Sequence, residues 1–260
     1  MKSEPVQIMS ARTRAIRGLI LPGVLSVLAL AVLIGLGNWQ MQRLAWKEKL
    51  IANIAARIAQ PPQPLPPPIA WPKLELGEIE YRPFFASGRF RHENEVQVYT
   101  VLSEPKGSFS GAGYWILTPF ELDDGAVVIV NRGFVPQELK SPASRSEGQV
   151  SGQVRVTGLL RAPEQTNFFT PANDPAKGAW YHRAPRDIAN AFGLKNAAPF
   201  MLDATGDYRA DMVPQPNETK LTFVNNHLGY ALTWYGLAAT LIGVFSAFAW
   251  QRLASPRRAK

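Results

Sequence analysis

The chain has 260 residues and no cysteine, which excludes disulfides, thiolate metal sites and thiol redox chemistry. It has 28 basic and 20 acidic residues, a net charge of +8. The two tails, residues 1–17 and 252–260, together contain eight of the basic residues and one of the acidic ones, so the rest of the chain has 20 basic and 19 acidic residues. The basic excess therefore belongs to the two tails and does not indicate a nucleic-acid surface.

Each end of the chain carries an apolar segment of membrane-spanning length. Residues 18–42 contain no charged residue, and residues 225–251 contain none apart from the ionisable His227. About 20 helical residues cross the roughly 30 Å hydrocarbon core of a bilayer. We predict transmembrane helices over both segments, with residues 1–17 and 252–260 as cytoplasmic tails because basic residues follow the second span.

A cleaved signal peptide is the alternative interpretation of the first segment. Its apolar run is too long for one, and residues 37–40 (GNWQ) do not form a small-x-small cleavage site. Seventeen residues precede the segment, too few for an ordinary mitochondrial transit peptide. We therefore expect an uncleaved, multi-pass protein of a bacterial inner membrane whose main domain is periplasmic.

The residues between the spans predict one domain, of mainly antiparallel β (α+β) class. Residues 43–70 predict a juxtamembrane helix and then a stiff linker, because six of the eight residues 61–68 are proline. Residues 71–224 form the expected extracytoplasmic domain, whose strands are predicted over 96–101, 114–122, 126–130, 154–160 and 199–202. An Asp-Asp-Gly turn at 123–125 predicts a hairpin. A helix is expected over 187–192 with Asp187 as its N-cap, and a mobile polar loop over 141–148.

Few residues of this domain are candidates for catalysis or for binding a metal or phosphate. His92 lies in a charged stretch and is expected to be solvated, and His182 to be structural or at the surface. No recognised metal spacing, phosphate loop or nucleophile motif occurs, so an enzymatic role is not expected. Arg132 and Gly133 follow an apolar strand; Gly133 predicts a tight turn or bulge. Arg132 is expected to pair with a carboxylate of the domain, the alternative being a partner-facing role.

His227 stands at the start of the second apolar segment. On helical spacing it shares a face with Tyr230, Ala231 and Trp234. One interpretation is an interfacial helix start, with Asn226 as cap and an aromatic belt after it. The other is a binding site for an amphipathic planar ligand at the boundary of water and hydrocarbon.

The end of the first apolar segment is predicted to face His227. Trp39 and Arg43 lie one helical turn apart, and Trp46 and Lys47 return to the same side. This pattern is typical of an aromatic belt with snorkelling cations. It also suits a pocket in which the aromatic faces hold a ring system and Arg43 holds an anionic group.

Five segments together resemble the surfeit-locus-1 family of cytochrome c oxidase assembly factors, in its bacterial form. They are GNWQMQRLAWKEKLI (37–51), YWILTPF (114–120), VNRGFVP (130–136), WYHRAPRDIANAFGL (180–194) and NNHLGYALTWYGLA (225–238). They occur in the family's order over nearly the whole chain. The last segment, joined to a terminal anchor, is the most specific.

The resemblance implies a non-enzymatic membrane protein that binds haem a and assists its insertion into the haem-bearing subunit of the oxidase. His227 corresponds to the histidine associated with haem a in bacterial members, and neutral imidazole is an ordinary axial ligand of haem iron. Expected cofactor-binding residues are His227, Tyr230, Trp234, Trp39 and Arg43. Expected partners are that subunit, the haem a synthesis enzymes and the bilayer. The alternative is a scaffold that stabilises an oxidase intermediate without holding cofactor.

Overall fold

The structure is a computed structural model that describes residues 4–206, 212–221 and 223–254. The chain divides into two compact units, residues 53–221 and, from both ends of the chain, residues 1–52 with 222–260. In chain order the helices and strands are α1 (Glu4–Ile58), β1 (Gln63–Pro64), α2 (Leu76–Ile79), β2 (Pro83–Phe90), β3 (Val96–Leu102), β4 (Gly111–Leu122), β5 (Val127–Pro136), β6 (Val154–Arg161), α3 (Pro185–Ala191), β7 (Ala197–Thr205) and α4 (His227–Ala254).

The two terminal helices contain the apolar segments. The structure has two helices long and apolar enough to cross a membrane, Ala15–Ile58 within α1 and His227–Ala254. The first apolar segment and the predicted juxtamembrane helix form one continuous helix, which ends three residues before Pro61. Helices end readily there because proline disfavours helical geometry in the residue before it. The predicted fold class, two apolar terminal helices around a β-rich domain, is confirmed.

The domain is built on one seven-stranded sheet, in the order β1-β2-β6-β7-β5-β4-β3. Its pairs are antiparallel except β1–β2 and β5–β7. β2 pairs with β6 from Pro83 to Gly88 and with β4 from Gly88 to Phe90, so that five strands close on one another. Closure removes the open edges that a five-stranded sheet would otherwise present. The prediction of a mainly antiparallel β domain is confirmed.

Apolar side chains on both surfaces of the sheet are buried. One cluster includes Phe120, Phe200 and Leu202, and Trp71 packs edge-on against Phe200 with ring centroids 5.6 Å apart. The other lies where α3 covers the sheet and includes Ile188 and Met201 among its members. Burial of such side chains contributes about 1.5–3 kcal/mol each, which a domain without disulfides needs.

The predicted hairpin is present as β4 and β5, joined at residues 123–125, where Gly125 has φ +79°. The bulge predicted at Gly133 is also present: Arg132 and Gly133 of β5 lie opposite the single residue Ile116 of β4. Gly133 has φ +128°, and a Cβ atom there would collide with the backbone of Gln215. Only glycine fits this position without a rearrangement.

Two predictions about the domain need correction, and one strand was missed. The helix near residue 187 begins at Pro185 with Ala184 as its N-cap, so Asp187 lies inside the first turn and does not cap it. Residues 141–148, expected to be mobile, include two short 3₁₀ turns within Pro142–Gly148, and the buried side chain of Arg145 between the turns fixes them to the domain. Strand β2 was not predicted at all, because Pro83 and Gly88 interrupt its apolar pattern.

Candidate functional site

The imidazole of His227 is hydrogen-bonded to a side chain of α1. His227 begins α4, and its Nδ1 lies 2.7 Å from Oε1 of Gln40. Gln40 is 8% exposed, although it belongs to a helix whose other side chains are mostly exposed. A polar amide in such a segment is expensive unless it has a hydrogen-bond partner. His227 is that partner.

This hydrogen bond determines which nitrogen of the His227 ring carries the proton. Because an amide oxygen can only accept, Nδ1 of His227 carries the proton and donates it to Gln40. The neutral ring then has its lone pair on Nε2. Within the described residues, Nε2 has no hydrogen-bond partner. An orienting acceptor on one nitrogen and a free lone pair on the other is the arrangement found in metal-binding histidines.

Small residues let α1 and α4 approach closely near this pair. Gly37 is buried under the ring of Tyr235, whose hydroxyl donates to Oδ1 of Asn38 at 2.8 Å. On α4, Ala231 and Ala238 lie two turns apart and are 1% and 5% exposed. Small residues at a helix–helix contact and polar pairs across it are typical of membrane helices. The contact gives His227 a defined position.

A cation stacked between aromatic rings lies on another face of α1. The guanidinium of Arg43 lies 5.7 Å from the ring centroids of both Trp39 and Trp46. The two indoles are 47% and 56% exposed, whereas Gln40 is buried against α4. At 100° per residue, positions 39, 43 and 46 share the side of α1 opposite Gly37. The stack therefore points away from α4.

The residues predicted to bind a cofactor fall into two groups. His227 and the half-buried Trp234 lie on α4, with Tyr230 between them in sequence and 58% exposed. Trp39 and Arg43 contact each other on α1. In the described part of the chain, neither of them is hydrogen-bonded to His227. Their role in cofactor binding stays a prediction.

Two details of this region differ from what the sequence suggested. Lys47 does not join the Trp39 side of α1, because its Nζ lies 5.4 Å from the ring centroid of Phe223. Gln40 was not singled out, although it is the residue that orients His227. The available signal was the amide itself, placed in the last turns of an apolar helix where an unpaired polar group is costly.

A buried charged cluster, distinct from this pair, holds the domain together. Glu95 accepts from Nη1 of Arg145 at 3.0 Å and lies 3.5 Å from Nη1 of Arg132. Arg132 also donates to the carbonyl of Gly148 and lies 3.3 Å from Nδ1 of His92. The predicted pairing of Arg132 with a carboxylate is confirmed. His92 was expected to be solvated, which is wrong: it is half-buried in this cluster.

Burial and charge shift the titration of this cluster. Burial lowers the pKa of Arg132 to about 10, although the charge of Glu95 raises it, and the charge of Arg145 lowers it further. Burial alone would raise the pKa of Glu95, but hydrogen bonds from Arg145 and Gln97 and the two arginine charges outweigh it and leave the pKa lowered. Glu95 and Arg132 are therefore both charged at neutral pH.

The remaining histidine serves the structure of the domain. Nε2 of His182 lies 3.3 Å from Nδ2 of Asn173 and 3.7 Å from Asp187. The side-chain oxygen Oδ1 of Asn173 accepts from the backbone N–H groups of Tyr181 and His182. Over residues 4–206, 212–221 and 223–254, no group of three or more histidine, aspartate or glutamate side chains could hold a metal ion. In that part of the chain, a metal would therefore be held by fewer than three such side chains.

Comparison with known proteins covers both the apolar helices and the domain. The model of the SURF1 family matches residues 27–239. Surfeit locus protein 1 of Mus musculus is 37% identical over 219 residues, which cover 80% of this chain and 69% of the mouse protein. The Homo sapiens protein of the same name is 36% identical over 216 residues, covering 79% and 70%. A SURF1-like protein of Monosiga brevicollis is 36% identical over 224 residues, 82% of each chain.

Proposed function

We propose an assembly function for this chain, because it belongs to the SURF1 family. The resemblance found in the sequence implies a cytochrome c oxidase assembly factor. We infer that the chain holds haem a at a membrane face and assists its insertion into the haem-bearing subunit of the oxidase. The role is non-enzymatic. The observation that supports the haem step is the hydrogen bond between His227 and Gln40.

The residues around His227 fit a haem. Its Nε2 carries a lone pair and has no hydrogen-bond partner in the described chain, which suits an axial ligand of iron. Asn226 immediately precedes α4 and its carbonyl accepts from Tyr230, so the helix N-terminus lies where it favours anionic groups such as propionates. When bound, haem a would supply the iron for the imidazole. One histidine ligand suits a carrier that must release its cargo.

The aromatic residues supply the second part of the proposal. Tyr230 and Trp234 on α4 would contact the ring system beside His227. Trp39 and Arg43 would act on the other side of α1, where the exposed indoles offer apolar faces and the guanidinium offers a charge. The haem a synthesis enzymes and the haem-bearing subunit are the proposed partners. Both handle the same membrane-soluble cofactor.

The absorption spectrum of the purified protein tests the haem step. The chain is co-expressed with the haem a synthesis enzymes and compared with the His227→Ala and Arg43→Ala variants and a His182→Ala control. We expect His227→Ala to lose the haem spectrum and His182→Ala to keep it. Because the guanidinium of Arg43 lies on the face of α1 away from α4, Arg43→Ala should weaken binding less than His227→Ala does, by at most about 1–3 kcal/mol, the value of one charge-assisted contact.

A full haem a spectrum in the His227→Ala protein would contradict the carrier role. Oxidase assembly that persists in that variant would then favour the scaffold role. The scaffold would rest on the contact between α1 and α4, which His227→Ala leaves largely intact at Gly37 and Tyr235.

We also propose a topology. Both termini lie in the cytoplasm and residues 71–224 in the periplasm of a bacterial inner membrane, because basic residues follow the second apolar helix. Reporter fusions near Ser144, an exposed residue of the domain, should be active only outside the cytoplasm. Activity in the cytoplasm would invert the arrangement.

A further inference from the structure

Two neighbouring phenylalanines of the domain are almost completely exposed. Phe168 and Phe169 lie between β6 and α3 and are 96% and 87% exposed. Their rings contact each other edge-on, with centroids 5.5 Å apart. Single exposed apolar residues are common on protein surfaces, but a bare aromatic pair in water is unfavourable and marks an interaction surface.

Hydrogen bonds stabilise the turn that carries the two phenylalanines. The side-chain oxygen of Asn167 accepts from the backbone N–H of Phe169 at 2.9 Å, and the N–H of Asn167 donates to the hydroxyl of Thr170 at 3.1 Å. Asparagine and threonine stabilise turns in this way. Residues 165–173 contain no charged side chain. The turn therefore presents two aromatic rings on an uncharged tip, which we call the phenylalanine loop (residues 165–173).

Both ends of the segment that contains this loop are fastened to one carboxylate. The segment runs from Arg161, at the end of β6, to Arg183. A guanidinium nitrogen of Arg161 lies 3.1 Å from the carboxylate of Asp203, and one of Arg183 lies 3.4 Å from the same carboxylate. The hydroxyl of Thr219 donates to the same carboxylate at 2.9 Å. Thr219 is eight residues before α4. The chain therefore leaves the domain at the end where the base of the phenylalanine loop lies.

The chain also enters the domain at this end. Arg57, in the last turn of α1, donates to the carbonyl oxygens of Gly77 and Glu80 at 2.8 and 3.3 Å. The carboxylate of Glu80 in turn lies 3.2 Å from Arg161. The points where the chain enters and leaves the domain are thus linked, through Glu80 and Asp203, to the base of the phenylalanine loop.

We propose that Phe168 and Phe169 insert into the lipid–water interface and give the domain a third attachment to the membrane. The chain enters and leaves the domain beside the base of the loop, so both connections to the apolar helices start there. An uncharged tip can enter the headgroup region without the cost of dehydrating a charged group, and aromatic rings are favoured there. The irregular backbone of the turn remains hydrated at that depth, which it would not be in the hydrocarbon core. The inference does not depend on haem binding.

Spin labelling of the full chain tests this proposal, and the absence of native cysteine makes it simple. Thr166→Cys places a nitroxide in the loop beside the intact phenylalanines. Ser151→Cys, an exposed position three residues before β6 and so at its other end, is the control. The labelled proteins are reconstituted into vesicles of phosphatidylcholine and phosphatidylglycerol. Collisions of each label with oxygen and with a water-soluble nickel chelate are then compared.

We expect the label at Thr166→Cys to be shielded from nickel and accessible to oxygen, and the label at Ser151→Cys to be accessible to nickel. Adding Phe168→Ser and Phe169→Ser to the Thr166→Cys protein should abolish the shielding. These exposed positions contribute little to packing, so the variant should melt like its parent. Nickel access at Thr166→Cys in vesicles would overturn the proposal and indicate a protein partner instead. Shielding that survives both serine substitutions would also overturn it.

Discussion

Gly37 of α1 lies directly against the aromatic ring of Tyr235 of α4. A Cβ atom at residue 37 would lie 2.8 Å from both Cδ1 and Cζ of that ring and closer still to Cε1. Gly35, two residues earlier in α1, has no neighbouring atom within 4 Å of the position that a Cβ atom would take. Of these two glycines, only Gly37 therefore lies against the neighbouring helix.

We expect Gly37→Val to loosen the contact between α1 and α4 and Gly35→Val to be tolerated. Overpacking costs about 1–3 kcal/mol, and the displaced tyrosine would also lose its hydrogen bond to Asn38. Thermal unfolding of the detergent-purified proteins, followed by tryptophan fluorescence, measures the difference. Equal melting temperatures for the two variants would contradict the close approach.

Arg132→Ala should destabilise the domain strongly. The substitution leaves Glu95 with one arginine partner fewer and removes the hydrogen bond to the carbonyl of Gly148. Breaking a buried ion pair costs about 3–5 kcal/mol. Denaturant unfolding measures this loss. The matched control is Arg91→Ala, whose pair with Glu121 is about 40% exposed and is worth about 1 kcal/mol or less. Similar losses for both variants would rule out a structural role for Arg132.

Glu95 should make the stability of the domain fall in acid. Its pKa is lowered from the ordinary value of 4.5, so the folded state binds this proton less readily than the unfolded state does. The resulting stability is present above about pH 4.5 and is lost as the pH falls through the folded pKa. Melting temperatures measured from pH 7 down to pH 3 should record this loss.

Glu95→Gln should be less stable at pH 7, because two buried arginines lose their carboxylate, and its melting temperature should fall less steeply in acid. Glu121→Gln, which removes a partly exposed carboxylate, should keep the slope of the unsubstituted protein. An unchanged slope in Glu95→Gln would mean that other carboxylates govern the acid transition.

Much of the fold could be predicted because its signals are local. An uncharged apolar run predicts a membrane helix from length alone, and the Asp-Asp-Gly turn at residues 123–125 predicts the β4–β5 hairpin. Closure of the sheet could not be predicted, because it depends on β2, where Pro83 and Gly88 obscure the alternation. The structure of residues 142–148 was equally hidden, since it depends on Arg145 reaching Glu95, 50 residues away.

The candidate site shows the same limit. Helical periodicity correctly grouped Trp39 with Arg43, since they belong to one helix. The partner of His227 lies 187 residues away, and no spacing rule connects them. The cost of burying the amide of Gln40 was the only sequence signal, and it says that a partner exists without saying which.

Gln40 should determine which ring nitrogen of His227 carries the proton. Gln40→Leu removes the acceptor, so Nδ1 loses the hydrogen bond that holds its proton, whereas Gln40→Glu keeps an acceptor there. Gln42→Leu changes an exposed amide two residues away and is the control. Nitrogen NMR of histidine-labelled protein in detergent reports which nitrogen is protonated. We expect the His227 signals to change in Gln40→Leu, to remain Nδ1-protonated in Gln40→Glu and to be unaffected in Gln42→Leu.

Titration with ferric haem then separates the orienting residue from the ligand. Loss of a hydrogen-bond partner behind a metal ligand lowers affinity by roughly 10- to 100-fold, whereas loss of the ligand removes the bond itself. Gln40→Leu should therefore bind haem more weakly than the unsubstituted protein, and His227→Ala should not bind it through this site. Full affinity and unchanged nitrogen signals in Gln40→Leu would refute the orienting role. The assignment of His227 would still stand in that case, provided that His227→Ala abolished binding.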